Sequence, residues 1–188
     1  EIIRECVDAF NLPQIEMEGF EADDIIATYC QLAEKQKIES IIVSSDKDLM
    51  QLVNKNVTML DPMKNKSIGI DQVIEKFGLP PEKVIQIQAL TGDTIDNIPG
   101  APGIGPKTAL TLIEEFGDVQ SLIKNAIKIP QEKRRNVILD NKKEILISLE
   151  LVKLKKDINL PVKIDDIYPY SSIDKNEKLE KFLSNQGF

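Results

Sequence analysis

Seven carboxylates fall into three tight groups in the first half of the sequence, and a glycine-rich turn follows the last of them. The groups are Glu21-Ala22-Asp23-Asp24, Asp46-Lys47-Asp48 and Asp93-Thr94-Ile95-Asp96. The turn is Gly100-Ala101-Pro102-Gly103-Ile104-Gly105-Pro106-Lys107. Asp and Glu are hard oxygen ligands, suited to Mg²⁺ or Mn²⁺. Mg²⁺ keeps several waters and takes one or two carboxylates, so seven carboxylates suffice for two ions. Two ions held together can cut a phosphodiester, one by lowering the pKa of a water and the other by stabilising the leaving oxygen. A glycine turn that opens a helix offers backbone N–H groups to a phosphate. Together the two features imply a metal-dependent nuclease acting on DNA.

Glu21, Asp23, Asp24, Asp46, Asp48, Asp93 and Asp96 are therefore the candidate catalytic and metal-binding residues. Each group also has an ordinary reading, because acidic residues cap helix N-termini and favour turns. Their joint occurrence at element ends favours the metal reading. Lys47 is the only cation inside a group, and unpaired carboxylates packed together repel, which raises their pKa values unless a cation is bound. In the turn, Gly103 and Gly105 let the backbone approach a phosphate, Ile104 plugs the hairpin and Lys107 adds charge at a helix start. Gly100, Gly103, Ile104, Gly105, Lys107 and Thr108 are the candidate DNA-binding residues. A plain turn between two helices is the competing reading. Nothing in the turn reads base edges, so the expected binding is independent of sequence. Lys133-Arg134-Arg135 is a candidate second phosphate contact, or else a solvated basic face.

The elements that position these groups alternate at first. Apolar spacing predicts a helix over Ile2–Phe10 and another over Ala22–Lys37, with Ile25, Ile26, Tyr29, Leu32 and Ala33 on one stripe. Ile41-Ile42-Val43 fits a buried strand, a short helix is expected over Asp46–Leu52, and Val57–Leu60 reads as a second strand. The pattern predicts an α/β layer with parallel strands, in which ligands sit beyond the carboxyl ends. Asp46 and Asp48 occupy that kind of position. From Asp71 the pattern is helical: 71–77, 82–91, 107–116, 119–125, 131–139 and 142–149. Gly78, Gly92 and Gly117 close the first three. Leu151–Leu154 is expected to return to the sheet as a strand, and Asp174–Leu183 to form a final helix. This gives an α/β core over 1–70, a helical lobe over 71–150, and a return strand with a closing helix over 151–188.

Composition narrows the chemistry. With 188 residues the chain suits one domain, or two lobes, with a real core. It contains no histidine, which excludes His-based nucleophilic catalysis and disfavours zinc. Cys6 and Cys30 form no CxxC pair, so a reducing compartment, the cytoplasm, is expected. No apolar run approaches a membrane span and no signal peptide is visible. The opening Glu1 is not Met and is followed at once by a helical pattern, so the chain is expected to begin inside a larger protein. The net charge of −7 is unevenly spread: residues 1–98 carry 9 Lys/Arg against 18 Asp/Glu, and residues 99–156 carry 11 against 7. The acidic excess lies with the carboxylate groups. The basic excess lies at and after the glycine turn, where a phosphate would sit.

Four motifs carry a resemblance. Phe20-Glu-Ala-Asp-Asp24, Ser45-Asp-Lys-Asp-Leu49 with Gln51-Leu52, Thr91-Gly-Asp-Thr-Ile-Asp-Asn-Ile-Pro-Gly100 and Gly103-Ile-Gly-Pro-Lys-Thr-Ala109 resemble, in order, the 5′-nuclease (flap endonuclease) family. Within it they are most similar to the N-terminal 5′→3′ exonuclease domains of bacterial DNA polymerases I. The resemblance implies a partial parallel sheet of the 5′-nuclease, PIN-like fold, with a helix–hairpin–helix lobe. It implies removal of 5′ flaps and primers in DNA replication and repair, on double-stranded or flapped DNA. It assigns the seven carboxylates as metal ligands, with two Mg²⁺ (or Mn²⁺) ions, and places a monovalent cation, K⁺, at the hairpin. It further implies a monomer, fused to a polymerase domain after Phe188, acting at the bacterial nucleoid. The family's opening strand with a metal-binding Asp, and its basic helical arch, have no counterpart in these residues. Two alternatives stay open beside it: a non-catalytic, structure-specific DNA-binding fragment, and a stand-alone flap endonuclease. An RNA-cleaving nuclease of similar α/β fold is disfavoured, because the hairpin grips a backbone rather than single-stranded bases.

Overall fold

The computed structural model describes residues 2–167 and 177–187. Helices α1 (Ile2–Ala9) and α2 (Ala22–Lys35) lead into strand β1 (Ser40–Val43). A 3₁₀ turn over Asp48–Leu52 follows, then strands β2 (Val57–Asp61) and β3 (Lys66–Ile68). The helical part comprises α3 (Ile70–Phe77), α4 (Val84–Thr91), α5 (Pro106–Phe116), α6 (Val119–Lys124), α7 (Glu132–Asp140) and α8 (Lys142–Leu151). A short turn of helix, α9 (Ile164–Ile167), and α10 (Glu177–Asn185) complete the described chain. The first residues of the expected closing helix lie outside the described residues.

The sheet has three strands in the order β1-β2-β3. β1 and β2 are parallel, with Ser40 opposite Val57 and Val43 opposite Leu60. β3 is an addition to the expected parallel pair and runs antiparallel to β2. Its three residues are too few for alternation to show in sequence. Two apolar clusters hold the molecule. One joins Ala27, Ile42, Leu49, Met59 and Val73 around the sheet. The other joins Leu90, Ile104, Leu112, Leu122, Ile138 and Ile145 in the helical part. Phe77 packs against both and couples them.

The expected return strand over Leu151–Leu154 does not form. α8 runs through Leu151, and β3 already occupies the far side of β2. The segment still returns to the α/β part, bridged by one side chain. Gln51 Nε2 donates to the Val152 carbonyl at 2.9 Å, and Leu154 N–H donates to Gln51 Oε1 at 3.3 Å. A primary amide carries the donor and acceptor that a strand would offer. The chain then passes α2, where Tyr29 Oη donates to the Val162 carbonyl at 2.8 Å.

The loop between α4 and α5 is closed by two glycines placed back to back. Gly92 has φ +69° and Gly100 has φ +62°. A Cβ on Gly100 would lie 2.4 Å from the Gly92 nitrogen. Gly103 also has positive φ, +77°, but its Cβ direction is open. Gly100→Ala should therefore destabilise the fold by about 2 kcal/mol or more, because strain in the left-handed region adds to a backbone clash. Gly103→Ala should cost only the strain, about 1–2 kcal/mol. Urea unfolding midpoints of the two variants check this order; equal midpoints would refute the close approach.

Candidate active site

β1 ends at Val43, and the Asp46-Lys47-Asp48 group follows at its carboxyl end. The expected buried strand is buried on one face only: Ile42 is enclosed, while Ile41 and Val43 on the other face are 70% and 63% exposed, and pairing with β2 sets where the end points. Asp46 N–H donates to Ser44 Oγ at 3.0 Å, and Asp48 N–H donates to Asp46 Oδ1 at 2.9 Å. The ordinary turn-forming reading of Asp46 is thus realised alongside any other role. Glu21 precedes α2 but makes no side-chain cap bond, so capping does not account for it. Asp24, one turn in, accepts the Lys155 N–H at 2.8 Å. Asp93 opens the loop after α4 and pairs with Ile98 through both backbone hydrogen bonds, at 2.7 and 3.0 Å. Its Oδ1 also accepts the Ile95 N–H at 2.9 Å.

The three groups meet in one electrostatic field. Asp23 is pushed up to about 6, first by burial and then by Asp46, Asp48, Glu21 and Asp24. Asp48 is raised by burial and by Asp46, with Asp96 adding to it. The first group therefore faces the second, and the second faces the third. Lys47 lies among them. Its ammonium donates to Asp93, which holds the Asp93 carboxyl below its ordinary range and raises Lys47 itself. Lys47 thus does more than sit within a group: it neutralises one member of another. Among the described residues, no group of three or more His, Cys, Asp or Glu side chains is arranged to hold a metal ion. The carboxylates share a field while Lys47, Gln88 and the Lys155 N–H take some of their oxygens.

Gln88, on α4, carries no signal in the motifs. Its Nε2 donates to Asp48 Oδ1, and its Oε1 is buried without a hydrogen-bond partner among the described residues. An orphaned buried acceptor costs about 1–3 kcal/mol, so its retention calls for a reason. In sequence it is one of two glutamines, with Gln86, on a helix that also carries Val84, Ile87 and Leu90, one turn before Gly92. The donor types at this centre, carboxylates and an amide oxygen, are those a hydrated divalent cation takes, although no group of three among the described residues is arranged to hold one.

The hairpin residues separate into two kinds. Gly100 N–H is buried and donates to Ser148 Oγ at 2.9 Å, so Gly100 closes the loop and offers no donor to a phosphate. Ile104 is buried in the helical core, as a plug, and does not face a ligand. Gly105 has φ −87°, which any residue adopts, and nothing lies within 4 Å of its Cβ direction. It precedes α5, whose second residue, Lys107, is exposed. Pro106 has no N–H, and the N–H groups of Lys107 and Thr108 belong to the first turn, where intrahelical partners are lacking. Arg135 is anchored to the Ile129 carbonyl at 2.9 Å, which gives that member of the basic run a structural duty. Lys47, Gln88 and Asp93 line one cleft together with Glu75, Lys76, Pro106 and Lys107. Lys76 is lowered by burial and by Lys64 and Lys47, while Asp48 and Asp46 act the other way.

An α/β layer with carboxylates at a strand's carboxyl end, joined to a helical lobe with an exposed hairpin, defines a nuclease-type domain. Residues 1–78 match the 5′-3′ exonuclease N-terminal resolvase-like domain, and residues 79–176 match the 5′-3′ exonuclease C-terminal SAM fold. The chain belongs to the 5′-3′ exonuclease family. DNA polymerase I of Rhizobium leguminosarum is 58% identical over 164 residues, covering 87% of this chain and 16% of that protein. The 5′-3′ exonuclease of Aquifex aeolicus is 36% identical over 166 residues, covering 88% of this chain and 56% of that protein. The chain thus spans between about a sixth and somewhat over half of these relatives' length. A T5 5′-exonuclease structure with bound zinc superposes with a TM-score of 0.72 at 26% identity, covering 76% of this chain and 53% of that one. The catalytic core of Rad2 with a DNA substrate shares the fold, with a TM-score of 0.62 at 18% identity over 98% of this chain and 63% of that one.

A pH dependence follows from Asp23. A carboxyl whose folded-state pKa is raised contributes stability while protonated; the contribution is full below 3.8 and gone above about 6. Asp48 shifts the same way. The metal-free protein should therefore melt at a higher temperature at pH 5 than at pH 7.5. Asp23→Asn should shrink that difference and raise the melting temperature at pH 7.5. Thermal scans in EDTA at both pH values check this, and identical pH responses in the two proteins would refute it.

Proposed function

We propose that this chain is the DNA-cleaving part of a metal-dependent 5′→3′ exonuclease and flap endonuclease that removes primers and flaps in replication and repair. The observation that carries the reading is one cleft lined by Lys47 and Asp93 together with Pro106 and Lys107 at the start of α5. A phosphodiester backbone gripped at Lys107 would pass Lys76 and reach Asp93 and Lys47 along one surface. Family membership supports the same reading. Asp23, Asp46, Asp48, Asp93 and Asp96, with Glu21 and Asp24, would hold two Mg²⁺ or Mn²⁺ ions. Bound there, such ions supply an acidified water and a charge sink for the leaving oxygen. Gly103 and Gly105 let the backbone approach closely, Lys107 and Thr108 supply helix-start donors, and a monovalent cation such as K⁺ would bridge the hairpin to a phosphate. DNA is the partner. The neighbouring part of the same polypeptide would be a polymerase domain after Phe188, as in the polymerase relatives, and the protein would act as a monomer at the bacterial nucleoid. No helix among the described residues is long and apolar enough to cross a membrane.

Chemistry and grip should separate under mutation. Asp96→Asn removes an anion from the acidic centre and no phosphate contact. In the full-length protein it should lower the cleavage rate of a 5′-flap about 100-fold or more, with flap affinity nearly unchanged. Normal cleavage in Mg²⁺ would remove Asp96 from the site.

Lys107→Ala should reduce the salt slope of duplex binding by about one unit, equally for all sequences. Gly105→Val should fold normally, given its ordinary φ and open surroundings, yet bind DNA more weakly by blocking the backbone's approach. Flap titrations at several salt concentrations measure both. Unchanged affinity and slope would make the hairpin a turn only.

A further inference from the structure

Two lysines in the cleft have no carboxylate partner. Lys47, Lys76 and Lys107 line it together with Glu75 and Asp93. Asp93 is answered by Lys47, and Glu75 by Lys66 at 3.9 Å. Among the described residues no carboxylate lies within ion-pair distance of Lys76 or Lys107. Lys76 lies in the last turn of α3 and is exposed, so a ligand can reach it. Its ammonium sits 5.4 Å from the centre of the Phe77 ring, a cation–π contact. Partial loss of water lowers that ammonium, Lys64 and Lys47 lower it further, and Asp48 and Asp46 act the other way. Packing brings Lys76 and Lys107 together. Gly78 follows α3 with φ +79°, and a Cβ there would lie 2.5 Å from Leu110 Cδ2. α5 therefore seats directly on the end of α3, and Leu110 is three residues after Lys107, a neighbour on the helix surface.

We propose that Lys76 contacts a backbone phosphate of bound DNA, beside the contact made by Lys107, so that residues 1–78 and 79–176 each supply a grip on one backbone. Lysines are point charges on flexible stems, suited to backbone phosphates and blind to base edges. Two of them without internal partners on one cleft favour a polyanion. The proposal rests on the chain acting on DNA and needs no metal ion. It also gives Gly78 a second duty: beyond closing α3, its missing side chain lets α5 approach and sets Lys107 near Lys76.

The test titrates a fluorescent 5′-flap duplex in EDTA at several salt concentrations, with the 188-residue chain and with Lys76→Gln, Lys76→Arg, Lys107→Ala and Lys55→Gln. Lys55 is an exposed lysine just before β2, at the end of the sheet away from Asp46, and controls for net charge. Lys76→Gln should reduce the salt slope by about one unit, and the double change with Lys107→Ala by about two. Lys76→Arg keeps the charge and should keep the slope, and Lys55→Gln should leave it unchanged. Melting of Lys76→Gln in EDTA should stay level, since the side chain is exposed and holds no ion pair. An unchanged slope in Lys76→Gln with a reduced one in Lys107→Ala would overturn the role of Lys76 and leave the DNA reading standing. An equal fall in Lys55→Gln, or a loss in Lys76→Arg as large as in Lys76→Gln, would overturn it as well. No DNA binding by the unmutated chain would overturn the DNA reading and this proposal together.

Discussion

Carboxylates gathered in one place repel, and the arrangement of this molecule around its acidic centre is a response to that repulsion. Each group of acids is tied to an element from elsewhere. Asp24 takes an N–H from Lys155, well over a hundred residues further along. Asp48 takes the Gln88 amide from α4, and Asp93 takes the Lys47 ammonium from the end of β1. These ties bring the α/β part and the helical part to one point. Asp23 is left with burial and four like charges, and its carboxyl rises to about 6. Under the proposed function, a bound cation would relieve the repulsion that these side chains only partly offset.

The second constraint is steric. Gly92 and Gly100 touch backbone to backbone, and the loop they close carries Asp93 and Asp96. The same chain leaves Gly100 and enters the hairpin that starts α5. Ser148 of α8 holds the Gly100 N–H, and Ile104 anchors the far side in the helical core. One short stretch of backbone therefore carries both the third acidic group and the turn that opens α5.

The relatives place these features in larger proteins. The Rhizobium polymerase and the Aquifex exonuclease both contain nearly all of this chain as one part of a longer whole. Within the present chain the division of labour is already visible. Carboxylates and Lys47 occupy the carboxyl end of β1 and the Asp93 loop, and the exposed donors occupy the start of α5.

Much of this was legible in the sequence. The carboxylate groups, the strand before Asp46 and the helices closed by Gly78, Gly92 and Gly117 are local signals: charge clustering, β-branched runs and glycine stops. Local chemistry also marked Ile104 as the plug of the hairpin, and it is buried in the helical core. What sequence could not decide were partnerships between distant residues. Gly100 looked like a phosphate donor because its type and place suited one, yet Ser148, forty-eight residues on, takes its N–H. Leu151–Leu154 read as a strand, yet a Gln51 side chain stands where a strand partner would. Lys47 read as a lone cation within its own group, and its charge instead answers Asp93. Gln88 had no motif at all, because its side chain meets Asp48 across the fold. Residue type and spacing determine what a side chain can do; only tertiary packing decides which charge or donor it meets, since those contacts depend on how two cores sit together and not on the chain between them.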